Sequence, residues 1–313
     1  MNRHVASGRH ALGMSLALMT ALMWGALPVI LKVLLKDIDP YTLTWCRFLA
    51  ALVIIGPLTA RRGELGPVLA LRGPALLLLA ACALCMTGNF SLYLDGLRYI
   101  PPSTAQIVMQ LSPVFVLLGG LIVFRESFSR LQFLGFIVLF LGMALFFNQR
   151  YGELLSGLNA YAKGLLIIAL SAFLWSTFSL TQKQLLNYIS GGAVLTVAYA
   201  TGIVVLFPFV HLEQLVSFTQ FHVLLFVVSV FLTLSSYLFF AEALRHLEAS
   251  RTGVIVALTP LLTVAIAALA ALFTDAVETE PLNALALLGA GLVVTGSICS
   301  SLGRKQNRVT NSS

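Results

Sequence analysis

The sequence predicts an all-α integral membrane protein with ten transmembrane helices arranged as two inverted five-helix repeats. Three observations support this fold class. Hydrophobic residues make up 59% of the 313 residues and charged residues only 10%, and the mean hydropathy is +0.95. The apolar residues fall into runs long enough to cross a bilayer, and motifs of the first half recur in the second. A soluble domain of this length would need far more charged residues to cover so much apolar surface.

The apolar runs are the predicted helices, because a membrane helix needs about 20 apolar residues and lipid offers no partner for open backbone groups. Short breaks containing proline, glycine or arginine separate the runs. The first run lacks a clear signal-peptide cleavage site, so it is predicted to be an uncleaved helix. The ten predicted helices span 12–35, 41–60, 73–96, 102–124, 131–148, 161–186, 191–211, 221–244, 250–273 and 282–302.

The two halves of the chain share motifs in the same order. The stretch Leu97–Ser103 recurs as Leu244–Ser250, with Leu, Arg and Ser at the same spacing. Such repeats indicate a chain built from two similar units. Five helices per unit is an odd number, so the second unit must be inverted in the membrane, an architecture that recurs in secondary transporters. The predicted units are a first repeat over 12–148, a second repeat over 161–302, and cytoplasmic tails over 1–11 and 303–313.

The basic residues predict the orientation of the chain. Most of the 19 Lys and Arg residues fall in segments on the same side as the N-terminus, so both termini are predicted to be cytoplasmic. Arg47 is counted on the opposite, outer side. The predicted location is the lipid bilayer of the bacterial inner (plasma) membrane. The net charge of +7 does not indicate a nucleic-acid partner, because the basic residues form no block with interleaved aromatic residues.

No group of residues in the sequence indicates an enzyme. The five histidines are scattered, and there is neither a dinucleotide-binding nor a Walker fingerprint. Cys82 and Cys85 have no histidine or second cysteine pair to complete a zinc site, and they are predicted to be small buried side chains. No catalytic residue, metal ligand or cofactor is predicted.

Polar side chains inside the third and eighth runs are candidates for a substrate cavity. Polar groups in a membrane helix are costly, so they face a cavity or a partner helix. The cavity candidates are Asn89, Tyr93, Tyr237 and Glu242, and Asp95 is a gate or charge candidate. Asp95 and Glu242 each precede an arginine by three residues. One interpretation is a pair of carboxylates that titrate during transport, and the other is a local ion pair at each helix end.

The fourth and ninth runs each contain features that suit a substrate site. Gln106 and Gln110 share one face of the fourth run and are cavity candidates, although each could instead bond to a neighbouring helix. Pro113 and its counterpart Pro260 each remove a helix hydrogen bond. They therefore predict a helix break that exposes backbone groups near the middle of the membrane, or else a packing kink.

The first and sixth runs carry a matched pair of aromatic residues and a matched pair of cations. Trp24 and Trp175 lie too deep for an interfacial belt and are predicted cavity walls, with helix packing as the alternative. Lys32 and Lys183 either extend to the membrane surface or act as gate cations at the two mouths. Close-packing glycines lie in the fifth and tenth runs, where a homodimer contact is a further option. These glycines are Gly135, Gly142, Gly289 and Gly296.

The motifs resemble the EamA type of the drug/metabolite transporter superfamily. The residues that carry the resemblance are the opening Trp24-Gly25, the stretch Tyr93–Ser103 and Pro113, with echoes at Ala243–Ser250 and Pro260. The match extends over both predicted repeats. The acids Asp95 and Glu242 stand where the family commonly has apolar or aromatic residues.

The resemblance implies a central cavity and a transport function. It implies a secondary active transporter that exports amino acids or related small metabolites by alternating access. Its partners would be a small-molecule substrate and a coupling ion such as a proton. The superfamily also contains carriers of sugars, nucleotide-sugars and drugs, so the substrate class stays open. A non-transporting membrane subunit is a further alternative.

Overall fold

The computed structural model describes residues 9–124, 129–274, 277 and 282–302. Within these ranges the chain consists of helices joined by short loops, and it contains no β-strand. The predicted tails lie outside the described residues, apart from residues 9–11. The all-α class that the hydropathy predicts is therefore confirmed for the described part of the chain.

The α-helices follow the predicted runs closely, with two short additional helices in the loops. The 191–211 run is shorter as an α-helix, because Pro208 lies in a 3₁₀ turn, Phe207–Phe209, that follows Leu206. The helices are α1 (His10–Leu34), α2 (Pro40–Arg61), α3 (Gly66–Ala70), α4 (Pro74–Tyr99), α5 (Pro102–Met109), α6 (Leu111–Phe124), α7 (Arg130–Phe146), α8 (Tyr151–Leu155), α9 (Ala160–Leu185), α10 (Gly191–Leu206), α11 (Gln220–His246), α12 (Ala249–Val256), α13 (Thr259–Ala271) and α14 (Ala284–Leu302).

Nine segments of the described chain are long and apolar enough to cross a membrane. Two of them are paired helices, since α5 with α6 and α12 with α13 each form one span. The tenth predicted run is the shorter apolar helix α14. Large apolar side chains are exposed on the outside of these helices, for example Leu77 at 72% and Leu238 at 69% exposure. In water this surface would be unfavourable, whereas lipid tails solvate it.

Polar residues at the loop ends fix where several helices begin. The Asp39 side chain accepts hydrogen bonds from the backbone N–H groups of Tyr41 and Thr42 at the start of α2. Ser129 and Gln132 form a reciprocal capping box at the start of α7. Such caps satisfy N–H groups that have no partner inside the helix. They therefore supply partners for some of the first N–H groups of these two helices.

The helices pack in pairs that combine the two halves of the chain. Helix α1 packs against α11, α4 against α9, α2 against α10, and α7 against α14. Each pair joins one helix from residues before 149 with one from residues after 159. The interior between the halves is therefore formed by side chains that are distant in sequence.

The pair α7 and α14 is held at very short range by glycines. A Cβ atom added at Gly142 would lie 2.5 Å from the backbone nitrogen of Val293, and one at Gly135 would lie 2.6 Å from that of Ser300. Gly289 and Gly296 face α7 in the same way. Small residues let membrane helices approach this closely. This glycine face is thus occupied within the chain.

Two membrane spans are interrupted four residues before a proline. Helix α5 ends at Met109 and α6 begins at Leu111, while α12 ends at Val256 and α13 begins at Thr259. A proline lacks the N–H that would bond to the carbonyl four residues earlier, and its ring clashes with that carbonyl. Pro113 and Pro260 stand at this distance from Met109 and Val256. Both breaks lie at the carbonyl that the proline leaves without an N–H, although α1 and α2 continue through Pro28 and Pro57 without a break.

Candidate functional site

A buried arginine, Arg47, lies inside the helix assembly. It is in the third turn of α2, and only 5% of the residue is exposed. Its Nη2 donates a hydrogen bond of 2.7 Å to Thr233 Oγ1 on α11. Its Cζ lies 5.6 Å from the ring centroid of Phe90 on α4. Arg47, which the charge pattern counts with the outer-side basic residues, is therefore not a surface cation, since its side chain points into the protein.

The protein does not provide a hydrogen-bond acceptor for every N–H group of this guanidinium. Its Nε has no hydrogen-bond partner, and no carboxylate of the described residues forms an ion pair with it. Its neighbours are the Thr233 hydroxyl, the Phe90 ring and Tyr199, which lines the same cavity. Arginine stays protonated in proteins, so this position holds a buried positive charge.

Tyr199 lines the same cavity as Arg47, and its hydroxyl also lacks a hydrogen-bond partner. It is 1% exposed, its ring packs against Phe48 at 5.2 Å, and its hydroxyl has no hydrogen-bond partner. Arg47 and Tyr199 line a common small cavity of about 10 Å³, which has room for about one water molecule. The other residues around this cavity are Phe48, Ala51, Phe90, Val230, Thr233 and Leu234.

Four of the predicted cavity residues lie together next to this arginine. The ring of Trp24 packs edge-on against Tyr237 at 5.8 Å. Gln106 Nε2 donates to the backbone oxygen of Trp24 at 3.3 Å and to the hydroxyl of Tyr93 at 3.4 Å. Tyr93 and Tyr237 stand one helical turn from Phe90 and Thr233, the two residues that contact Arg47. We call Trp24, Tyr93, Gln106, Tyr237, Arg47, Tyr199 and Thr233 the central cluster.

Three other predicted cavity residues are used in contacts between helices. Asn89 on α4 donates 2.9 Å hydrogen bonds to the backbone oxygen and hydroxyl of Ser171 on α9. Gln110 Oε1 accepts a hydrogen bond of 2.8 Å from Ser297 on α14. Trp175 packs against Phe178 and a hydrophobic interior group. The polar or aromatic groups of these three residues therefore make their contacts outside the central cluster.

The acidic candidates lie at helix ends. Glu242 contacts Arg245 at 3.0 Å and His246 at 3.2 Å, and its side chain is 42% exposed. Asp95 lies 3.6 Å from Arg98 on the same helix. These spacings are those of ion pairs along one helix face.

The two lysine candidates lie in different surroundings. Lys32 is buried, and its Nζ donates to the backbone oxygens of Leu97 at 2.7 Å, Arg98 at 3.3 Å and Ile100 at 3.4 Å. These carbonyls end α4, where a cation is favoured by the helix dipole. Lys32 thus ties α1 to the end of α4. Lys183 lies exposed in the last turn of α9.

Sequence reasoning missed Arg47, Tyr199 and Thr233. An ionisable residue well inside an apolar run is by default a functional candidate, and Arg47 lies seven residues into the second run. That signal was available, but a position near the outer end of a run also suits a surface cation. Tyr199 and Thr233 carried no comparable signal, because single hydroxyls are frequent in membrane helices.

The described residues contain no group of three or more His, Cys, Asp or Glu side chains that could hold a metal ion. The central cluster offers one cation, several hydroxyls, an amide and four aromatic rings. Such a set can bind a small polar molecule by charge, hydrogen bonds and stacking.

Comparison with known proteins identifies the family. The model of the EamA-like transporter family matches residues 11–148 and 162–302. An uncharacterized transporter of Haemophilus influenzae is 32% identical over 94% of this chain and 96% of its own length. An uncharacterized inner membrane transporter of Escherichia coli K12, YhbE, is 31% identical over 94% and 92%.

Two more distant matches also cover nearly the whole chain. A protein of Salmonella typhimurium named as a probable amino-acid metabolite efflux pump is 23% identical over 94% of this chain and 96% of its own length. One solved crystal structure is similar with a TM-score of 0.63 at 17% identity, over 94% of this chain and 98% of that one, which supports the fold alone. The chain is an integral membrane protein that belongs to the EamA-like transporter family.

Proposed function

We propose that this protein is a secondary active transporter that exports amino acids or related small metabolites across the bacterial inner membrane. The relative named as a probable amino-acid metabolite efflux pump supports the substrate class, and the inner membrane relative in Escherichia coli supports the location. The matched family is a transporter family over nearly the whole chain.

The observation that carries the proposal is the composition of the central cluster. It contains side chains of α1, α2, α4 and α5 from the first half and of α10 and α11 from the second. A transporter that works by alternating access needs its substrate site between two bodies that move relative to each other. A site formed by both halves meets this requirement.

The proposed architecture is ten spans in two inverted five-helix repeats, with α14 as the tenth span and both termini cytoplasmic. The way in which spans of the first half pack against spans of the second half supports this architecture. Counting spans, the first packs on the eighth through α1 and α11, and the third packs on the sixth through α4 and α9. In a pair of repeats, the first span corresponds to the sixth and the third span corresponds to the eighth. The contact between the first and eighth spans therefore corresponds to the contact between the sixth and third spans, as a pair of inverted repeats requires. The α7–α14 glycine face is occupied, so a homodimer would use another surface.

In this mechanism, Trp24 and Tyr237 form aromatic walls and Gln106 supplies an amide to the substrate. The interruptions before Pro113 and Pro260 let α5 and α12 tilt against α6 and α13. Lys32 closes the outer end by holding α4, and breaking its bonds to the carbonyls allows that end to open. The driving force is the gradient of the substrate or of an ion such as the proton.

The proposal is tested by a panel of metabolites and by transport. Purified protein is screened for thermal stabilisation by amino acids, sugars, nucleotide-sugars and drugs, because any species that binds the native state stabilises it. Compounds that bind are then measured for counterflow in proteoliposomes. We expect amino acids or their close relatives to stabilise and to exchange. If only a sugar, a nucleotide-sugar or a drug shows counterflow, that substrate class replaces the proposed one. If none of the compounds that bind shows counterflow, the transport function is refuted.

A further inference from the structure

The strongest feature not explained by membrane packing is the buried charge of Arg47. An ionised side chain inside a protein is costly unless it is paired and hydrogen-bonded. Here the guanidinium has a neutral hydroxyl and an aromatic face as neighbours, and its Nε–H has no acceptor. A leucine or methionine would pack at this position at lower cost. The arginine is therefore explained by a group that it binds.

The surroundings of Arg47 favour an anion. Thr233 accepts from Arg47 and itself donates to the backbone oxygen of Ser229 at 2.7 Å, so its own proton is in use. Tyr199 offers a second unused donor on the same cavity. Donors without acceptors at one wall of a cavity match a ligand group that only accepts hydrogen bonds.

A carboxylate fits this wall better than other anions. The Nε–H and a neighbouring Nη–H of a guanidinium lie in one plane and meet both oxygens of a carboxylate together. Arg47 is the one cation among the described residues that line this cavity, so a single negative charge is matched and the double charge of a phosphate is not. The space beside the guanidinium is small, so it suits one functional group and not a whole drug-sized molecule.

We infer that Arg47 and Tyr199 form a carboxylate-binding site, and that the substrate is a small molecule with a single carboxylate. Thr233 positions the guanidinium. The rest of the substrate lies toward Tyr237, one helical turn from Thr233, and toward Trp24 and Gln106, which contact each other beside it. The transport half of this inference rests on the proposed function, whereas the binding half does not.

The test compares acids with the same molecules in which the carboxylate is masked. Wild-type protein is titrated with each amino acid and with its methyl ester, and with sodium chloride and inorganic phosphate. We expect stabilisation by one or more acids and none by the corresponding esters. Stabilisation by the esters to the same extent, by phosphate or chloride alone, or by no acid would overturn the site.

Variants then locate the binding. Arg47→Met should abolish stabilisation by the acid, and Tyr199→Phe should weaken its affinity roughly tenfold, since one hydrogen bond to a charged group is lost. Arg62→Gln on the exposed end of α2 is the matched control and should bind as wild type does. The melting temperature without ligand reports whether each variant folds. If Arg47→Met does not fold, the affinity of the Tyr199→Phe variant for the acid tests the inference by itself. Unchanged affinity in a folded variant would overturn the inference.

Flux through proteoliposomes, measured on the same preparations, separates this inference from the proposed function. Acid binding that depends on Arg47 without any counterflow would keep the site and refute the transporter. Counterflow of an uncharged substrate that does not depend on Arg47 would keep the transporter and refute the site.

Discussion

The 2.7 Å hydrogen bond from Arg47 Nη2 to Thr233 Oγ1 joins α2 in the first half of the chain to α11 in the second. Both residues are buried, and Thr233 is bonded in turn to the backbone of its own helix. The bond thus connects a buried charged side chain of one half to a helix of the opposite half. Any change in how the two halves sit against each other must stretch or break it.

This bond makes Thr233→Val an informative substitution. Valine has nearly the same shape but no acceptor, so a buried charged donor loses its partner, at a cost of about 1–3 kcal/mol. We expect a lower melting temperature and weaker substrate binding, measured in detergent with and without ligand. Thr295→Val on an exposed face, where the hydroxyl bonds only to its own helix, should change neither. An unchanged melting temperature for Thr233→Val would contradict the role assigned to the bond.

The α7–α14 contact predicts opposite effects for two glycine substitutions. Alanine is favoured over glycine in a helix by about 1 kcal/mol. Gly291→Ala has free space around the added carbon and should leave stability unchanged or raise it. Gly142→Ala directs the carbon at the backbone of Val293 and should cost about 1–3 kcal/mol through overpacking. Thermal unfolding of the two variants measures the difference, and equal melting temperatures would show that the helices are not in close contact.

Gln106 and Gln110 should separate substrate binding from helix packing. Gln106→Leu removes the amide between Trp24 and Tyr93, and we expect it to reduce counterflow more than stability. Gln110→Leu removes the bond to Ser297, and we expect it to lower the melting temperature more than counterflow. Both quantities are measured for each variant. The reverse order would place the substrate near Gln110.

Glu242 tests whether a carboxylate titrates during transport. Its contacts with Arg245 and His246 at the end of α11 are those of an ion pair along the helix. Partly exposed pairs of this kind contribute about 0–1 kcal/mol. We therefore expect Glu242→Gln to change the melting temperature little and to leave the pH dependence of counterflow intact. A flat pH profile in this variant would instead identify Glu242 as a proton-coupling group.

Several parts of the fold could be predicted because they depend on the local chain. The hydropathy of each run requires a helix in lipid, and Pro113 and Pro260 interrupt helices through the hydrogen bond that each one lacks. The recurrence of Leu97–Ser103 as Leu244–Ser250 needs no structure to be seen. Trp24, Tyr93, Gln106 and Tyr237 were chosen for their polarity or size inside apolar runs, and the fold brings them together.

Other properties were decided only by tertiary packing. Gln106 and Gln110 are one helical turn apart and were expected to share a face, but the helix is interrupted at Gln110, which bonds to α14 while Gln106 bonds to α1 and α4. The burial of Arg47 did not follow from the sequence, because sequence gives the depth of a residue along a helix but not the direction of its side chain around the axis. That direction depends on which helices pack against it. The helices, the places where they break and the repeated motifs are thus local properties of the chain, whereas the packing of the two halves sets which polar side chains meet.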